Sequence, residues 1–209
     1  MRAPSPPAAP VRRASGATVP GRRPPQNRPP RNHHGFHVLR DPAVVRGLVR
    51  SADIGPDDLV LDLGAGPGAL TLALARTGAR VIAVERDPRL ARRLARRTAD
   101  DPAVRVVEGD LRHVALPHRP FHVVANIPFA TGTDLLRRLL DEHHQGRRLR
   151  GADLLVEWGF ARRLTTAAAD RTAARWQRRF VLDVARRVPA RSFSPPPRVD
   201  AAHLVIRPR

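Results

Sequence analysis

The chain is predicted to be α/β, with a mostly parallel seven-stranded sheet, helices on both faces and a terminal antiparallel strand. Three observations carry this. Short apolar runs rich in Val, Leu and Ile alternate with helical patterns from about Asp41 onward, as in successive strand–helix crossovers. A glycine turn, Gly64-Ala65-Gly66-Pro67-Gly68, closes one strand and opens a helix. Four successive strands also end in glycine or a polar residue, which puts the chemistry on the rim where open α/β sheets bind ligands.

The elements follow in order. Val44, Val45, Leu48 and Val49 give an apolar face to a helix over about 41–52, with Pro42 near its first turn. Leu59-Val60-Leu61-Asp62-Leu63 is a continuous apolar strand broken only by Asp62, and Leu70, Leu72, Leu74 and Ala75 mark a helix near 68–77. Val81-Ile82-Ala83-Val84 is a strand ending at Glu85. The helix near 88–99 carries Arg89, Arg92, Arg93, Arg96 and Arg97 around Leu90 and Leu94, read as a solvated face. Val104-Arg105-Val106-Val107 leads to Glu108-Gly109-Asp110, and Phe121-His122-Val123-Val124-Ala125 leads to Asn126-Ile127-Pro128-Phe129. A helix near 132–144, a strand centred on 155, a helix near 167–179, a strand over 180–185 and a last strand over 203–207 complete the pattern.

The rim residues suit a nucleoside. Missing side chains in the glycine turn let a ligand approach the backbone, and its G-x-G-x-G spacing differs from the G-x-G-x-x-G of dinucleotide sites. Glu85, about twenty residues on, can accept both ribose hydroxyls. That favours an adenosine-containing cofactor without separating NAD from S-adenosylmethionine. Asp110 can accept from the cofactor's adenine amine. The Asn126 amide oxygen and the Ile127 carbonyl, left free by Pro128, can accept from an exocyclic amino group, and Phe129 offers a flat face to its base. Each feature alone could be an ordinary turn or a solvated acid; the ordered series is specific.

Asp62 to Gly68, Glu85, Asp110 and Asn126 to Phe129 resemble the successive motifs of the S-adenosylmethionine-dependent rRNA adenine N6-methyltransferases, over roughly residues 36–207. Glu157-Trp158-Gly159-Phe160-Ala161-Arg162-Arg163-Leu164 is similar to the segment after the fifth strand in the erythromycin-resistance (Erm) branch. Phe193-Ser194-Pro195-Pro196-Pro197-Arg198-Val199-Asp200 resembles a proline-rich hairpin found there and in the small-subunit rRNA dimethyltransferases. The resemblance implies a Rossmann-like class I methyltransferase that uses S-adenosyl-L-methionine on one adenine of 23S rRNA, blocking macrolide, lincosamide and streptogramin binding. It assigns catalysis to Asn126, Ile127, Pro128 and Phe129, and cofactor binding to His37, Leu39, Gly64, Ala65, Gly66, Gly68, Glu85, Arg86, Asp110, Leu111 and Asn126.

The chain departs from the family twice. Phe36-His37-Val38-Leu39 stands where Gln-Asn-Phe-Leu is usual, so His37 is expected to replace the Asn as a hydrogen-bonding group, while Phe36 cannot replace the Gln. The sequence stops at Arg209, so the family's small C-terminal helical domain is expected to be absent and its RNA contacts supplied elsewhere. Alternatives are a small-subunit rRNA dimethyltransferase and a non-catalytic RNA-binding protein on the same scaffold. An NAD-dependent dehydrogenase is disfavoured by the glycine spacing.

Composition agrees with an RNA partner. Formal charge is +19 and the isoelectric point about 12, which favours polyanions. Every base is arginine; a GC-rich genome explains that choice, but not the net charge. Residues 1–35 hold Pro and Arg and no acid, and read as a disordered basic arm ahead of a catalytic domain over 36–209. The arm is Arg-rich and acid-poor like a transit peptide, yet lacks amphipathic periodicity. Arg162, Arg163, Arg175, Arg178 and Arg179, with Arg171, form the expected RNA face beside Phe160 and Trp176, although Trp158 and Trp176 suit a core better. There is no cysteine, and the histidines show no ligand spacing, so no metal is expected. No apolar run suits a membrane span of roughly 20 residues. A cytoplasmic monomer is expected.

Overall fold

A computed structural model describes residues 37–141, 149–166 and 171–209. Residues 1–35 and Phe36 lie outside the described residues, as do the last turn expected of the 132–144 helix and the first of the 167–179 helix. The strands are β1 (Val38–Leu39), β2 (Leu59–Leu63), β3 (Arg80–Glu85), β4 (Val104–Glu108), β5 (Phe121–Asn126), β6 (Leu149–Glu157), β7 (Phe180–Val188), β8 (Phe193–Ser194) and β9 (Ala201–Pro208). The helices are α1 (Pro42–Ala52), α2 (Ala69–Ala75), α3 (Pro88–Arg97), α4 (Gly132–Asp141), α5 (Trp158–Thr165) and α6 (Arg171–Gln177).

Seven strands form one sheet in the order β4-β3-β2-β5-β6-β9-β7. Neighbours from β4 to β6 are parallel, while β9 runs antiparallel to β6 and β7. The chain winds outward from β2 to β4, then crosses back to lay β5 on the other side of β2. That reversal is a topological switch point, where a crevice opens at the carboxyl ends of the strands. It brings the glycine turn after β2 beside the end of β5. A Cβ placed on Gly64 would lie 3.6 Å from the Asn126 carbonyl oxygen.

Strand period decides which face each residue feeds. Leu59, Leu61, Leu63, Val123, Ala125 and Leu154 enter the core under α4, α5 and α6; Val60, Val124 and Leu155, one residue out of phase, pack with α1 and α2. Two helices start where the sequence caps them. Asp41 accepts from Ala43 N at 2.9 Å ahead of α1, and Asp87 accepts from Arg89 N at 2.7 Å ahead of α3, with Pro42 and Pro88 in first-turn positions that have no N–H to satisfy.

Three elements were not anticipated. α5 follows β6 directly and buries only Ala161 and Leu164, too narrow a stripe to read as periodicity. β1 and β8 form a separate two-stranded sheet, pairing Val38 with Ser194 and Leu39 with Phe193; two-residue strands carry no pattern. One buried ionic group spans the second half. Asp153, 1% exposed, meets His203 Nε2 at 2.7 Å and Arg207 Nη2 at 2.8 Å, and the same Nη2 donates to the Ser51 carbonyl at 2.7 Å. β6, β9 and the end of α1 are thereby joined.

Candidate active site

The glycine turn is shaped by backbone that side chains resist. Gly64 and Gly68 have φ of 87° and 91°, in the region where glycine carries no Cβ penalty. At Gly68 any Cβ would also overlap Leu94 Cδ1 of α3. Glu85 locks the turn from β3: Oε2 accepts from Gly66 N and Oε1 from Asp87 N, both at 2.7 Å, with the residue 6% exposed. Expected as a ribose acceptor, Glu85 also braces the glycine turn and the start of α3. Each oxygen has a further lone pair.

Asp62, in β2 just before the glycines, stood in the sequence as a break in an apolar run and the first residue of the resembling motif, with no role of its own. It is 1% exposed, and its Oδ2 accepts from Thr71 Oγ1 at 2.6 Å. Among the described residues its Oδ1 has no partner, which is rare for a buried oxygen. Burial pushes the carboxyl up to about 7, opposed by hydrogen bonds from Thr71. Asp62 lines a narrow cleft with Val38, Leu39, Gly64, Ala65 and Asn126, enclosing about 20 Å³ and otherwise open to solvent. An orphan acceptor in such a cleft fits a cationic donor of a bound ligand.

Asp110 lies at the end of the next strand, but not bare. Arg112 grips it in a fork, Nε to Oδ1 at 3.0 Å and Nη2 to Oδ2 at 2.6 Å, and this hydrogen-bonded partner holds the carboxyl well below the usual carboxylate range. The Arg86 guanidinium stands 4.0 Å away. Arg112 was not foreseen; its only signal is the Asp-Leu-Arg spacing. Leu111 is buried against the glycine turn, its Cδ2 3.6 Å from where a Gly64 Cβ would be.

At the end of β5 the Asn126 amide is oriented by the fold. Its Nδ2 donates to the His37 carbonyl oxygen at 2.8 Å, which leaves Oδ1 as the outward acceptor. Ile127 N donates to Leu155 O at 3.0 Å and its side chain is 2% exposed, so the residue is pinned; among the described residues none donates to its carbonyl oxygen. Pro128 supplies no N–H, and Phe129 opens a 3₁₀ turn over Phe129–Thr131. The Phe129 and His37 rings are 6.0 Å apart and tilted by 41°.

Two expected groups have partners that the sequence did not show. The His37 ring places Nδ1 2.7 Å from the Pro195 carbonyl, and its backbone carbonyl accepts from Asn126 Nδ2. The pairing of β1 with β8 holds this segment against the hairpin and turns the ring there. The arginine cluster is also not one uniform face. Arg175 Nη2 is paired with Asp141 at 2.7 Å, and Arg179 lies over the Phe180 ring at 5.6 Å. Arg162, Arg163 and Arg178 are exposed, and among the described residues Arg162 and Arg163 have no carboxylate partner. Trp176 is core, donating to Asp141 Oδ1 at 2.7 Å, and Trp158 is partly buried beneath Arg187. Among the described residues no group of three or more His, Asp or Glu could hold a metal, and no helix is long and apolar enough to cross a membrane.

The fold and its rim are those of the Rossmann-like S-adenosylmethionine-dependent methyltransferases. The crystal structure of the 23S rRNA methyltransferase ErmE superposes with a TM-score of 0.75 at 29% identity, covering 82% of this chain and 70% of that one. The family model described as ribosomal RNA adenine dimethylase matches residues 28–209, and the chain belongs to that family. It is 43% identical over 181 residues to the mycinamicin-resistance protein MyrB of Micromonospora griseorubida, covering 86% of this chain and 56% of that protein. It is 35% identical over 189 residues to the ribosomal RNA small subunit methyltransferase A of Synechococcus sp. (strain JA-3-3Ab), covering 86% and 68%. The chain spans about three-fifths of the length of the first curated relatives it matches.

Proposed function

We propose that the chain transfers the methyl group of S-adenosylmethionine to the exocyclic N6 of one adenine in 23S rRNA, so that macrolides, lincosamides and streptogramins no longer bind. The observation that carries this reading is Asn126, its Nδ2 tied to His37 O at 2.8 Å and its Oδ1 without a hydrogen-bond partner among the described residues, at the switch point beside the glycine turn.

When bound, the cofactor supplies a sulfonium methyl group. Asp62 Oδ1 accepts from its ammonium group, the glycine turn lets it approach the backbone, Glu85 accepts from the ribose with its remaining lone pairs, and Asp110 shares its carboxylate between Arg112 and the adenine amine. A carboxylate offers about four acceptor sites, enough for both. The target amine is a poor nucleophile because its lone pair is delocalised into the ring. Asn126 Oδ1 and Ile127 O draw its two hydrogens out of the plane and localise that pair. Phe129 stacks on the extruded base. Holding the reactants at attack distance supplies several kcal/mol of the barrier, and no strong base is needed because the proton is acidic once nitrogen carries the methyl. The partner is rRNA, free or in an assembling large subunit, and the setting cytoplasmic, with the protein acting as a monomer.

The name of the Synechococcus relative favours a second reading, an adenine of 16S rRNA; the segment Glu157–Leu164 favours 23S. Mass spectrometry of 23S and 16S rRNA from cells with and without the protein separates them. A new N6-methyladenine in 23S supports the first reading, one in 16S alone selects the second, and unmodified rRNA overturns both. Calorimetry without S-adenosylmethionine binding would point to a non-catalytic RNA-binding protein.

A further inference from the structure

Beside the strand end that carries Asn126 is a second cavity, of about 290 Å³, between α4, α5 and α6. Thr133 and Arg137 of α4, Phe160, Arg163 and Leu164 of α5, and Trp176 of α6 line it. It opens on the same rim: Thr133 comes four residues after Phe129, and Phe160 three after the end of β6. Its wall reaches the first residue of α4, three positions past Phe129, since a Cβ on Gly132 would lie 3.2 Å from the Phe160 ring. None of Asn126, Phe129 or the glycine turn lines it, so it is distinct from the position of the methylated base.

The lining is mixed in a way that suits one kind of guest. Phe160 is half-buried and gives an aromatic ring, with the Arg163 guanidinium 6.0 Å from its centroid. Trp176 and Leu164 make an apolar floor, and the Thr133 hydroxyl is exposed above them. Arg163 has no carboxylate partner among the described residues. Among the described residues Arg137 has only a long 3.8 Å contact with Asp134, both more than half exposed, so its charge is loosely held. A ring to stack on, two loosely held cations and a hydroxyl match a base, its phosphates and its polar edge. An apolar cavity of roughly 150 Å³ already admits benzene, so the space here suffices for a nucleobase.

We propose that this cavity receives the base of a nucleotide adjacent to the target adenine, stacked on Phe160 with its phosphates on Arg137 and Arg163. The proposal rests on the RNA-methylation reading above. A base drawn out of its stack leaves its neighbours unstacked, and enzymes acting on extruded bases contact those flanking nucleotides. The cavity thus sets which nucleotide neighbours the target.

The test uses the full chain and an rRNA stem-loop carrying the methylated adenine. Each nucleotide flanking the target is replaced in turn by an abasic one, and the Kd is measured for the wild type, Phe160→Ala and Phe160→Tyr. One abasic position should weaken wild-type binding by about tenfold, the scale of a stacked base, yet cost Phe160→Ala almost nothing more, with Phe160→Tyr restoring the dependence. Thr133→Met, an exposed position whose longer side chain fills the cavity, should remove the dependence in the same way. S-adenosylmethionine affinity reports folding and should be unchanged in all three variants. If the abasic penalties in Phe160→Ala and Thr133→Met equal those of the wild type while methyl transfer persists, the cavity proposal is overturned and the function stands. If no RNA is methylated but the coupling to Phe160 remains, the function falls and the cavity proposal survives.

Discussion

Asn126 and Asp62 do different work and fail differently. Asn126 presents an acceptor whose direction is set by one bond to His37 O, so in the proposed function it acts mainly where the amine becomes a nucleophile. Asn126→Ala should lower the single-turnover methylation rate at least about a hundredfold, the scale of losing one preorganised polar contact in a transition state, with S-adenosylmethionine affinity within a few-fold. Wild-type turnover would refute the role. In the proposed function Asp62 acts on the cofactor through its charge. With its carboxyl pushed up to about 7, it is mostly protonated at pH 6 and ionised at pH 8. An ammonium ligand needs the ionised form, so calorimetric affinity for S-adenosylmethionine should rise several-fold from about pH 5.5 to about pH 6.5, below the range of roughly 7.7–8.0 where an α-amino group loses its own proton, and be flat there in Asp62→Asn. The same shift has a stability consequence of opposite sense. A raised carboxyl pKa means the folded state holds the proton more tightly, so ligand-free stability falls as pH rises from 3.8 toward about 7. Asp62→Asn should remove that fall.

At the scale of elements, the glycine turn is where sequence and packing agree most closely. Strand, turn and helix were legible because a run of glycines after an apolar strand has few other uses. What the run did not disclose is that Gly68 is required twice, by a φ of 91° and by Leu94 seated on it. Gly68→Ala should therefore cost about 1–3 kcal/mol of unfolding free energy from backbone strain alone, more once Leu94 is displaced, measurable by urea denaturation. An unchanged midpoint would mean that the turn adapts. The buried group Asp153–His203–Arg207 was invisible in the sequence, since its members are 50 and 4 residues apart and meet only by strand pairing. Burial alone would raise the Asp153 pKa, but bonds from His203 and the Arg207 charge outweigh it and lower it overall. The stability it confers is present above the ordinary carboxylate range and lost as pH falls through the lowered pKa. Arg207→Met should destabilise by roughly 3 kcal/mol at neutral pH, the lower end for breaking a buried pair, because Arg207 is 33% exposed.

Over the whole molecule, the order of the rim residues was readable because each closes a strand, and strands that alternate with helices line up at one edge. Partners of those residues were not: Arg112 on Asp110, His37 O under Asn126 and Pro195 O on the His37 ring depend on tertiary approach. The basic surface shows the same division. Composition establishes a charge of +19, but only structure separates spent arginines from available ones. Arg175 is neutralised by Asp141 at 2.7 Å, whereas Arg162 and Arg163 stand exposed without carboxylates among the described residues. An arginine releases the counterions condensed on a phosphate only where the protein has not already compensated its charge. Log K for rRNA against log salt should therefore lose about two units of slope in Arg162→Ala/Arg163→Ala, about one per phosphate contact removed. Arg175→Ala should leave the slope nearly unchanged although it too removes a formal positive charge. A loss of about one unit in Arg175→Ala, the same per charge as in the double variant, would mean that the Arg175–Asp141 pair opens on RNA, and that the available surface extends from α5 across α6.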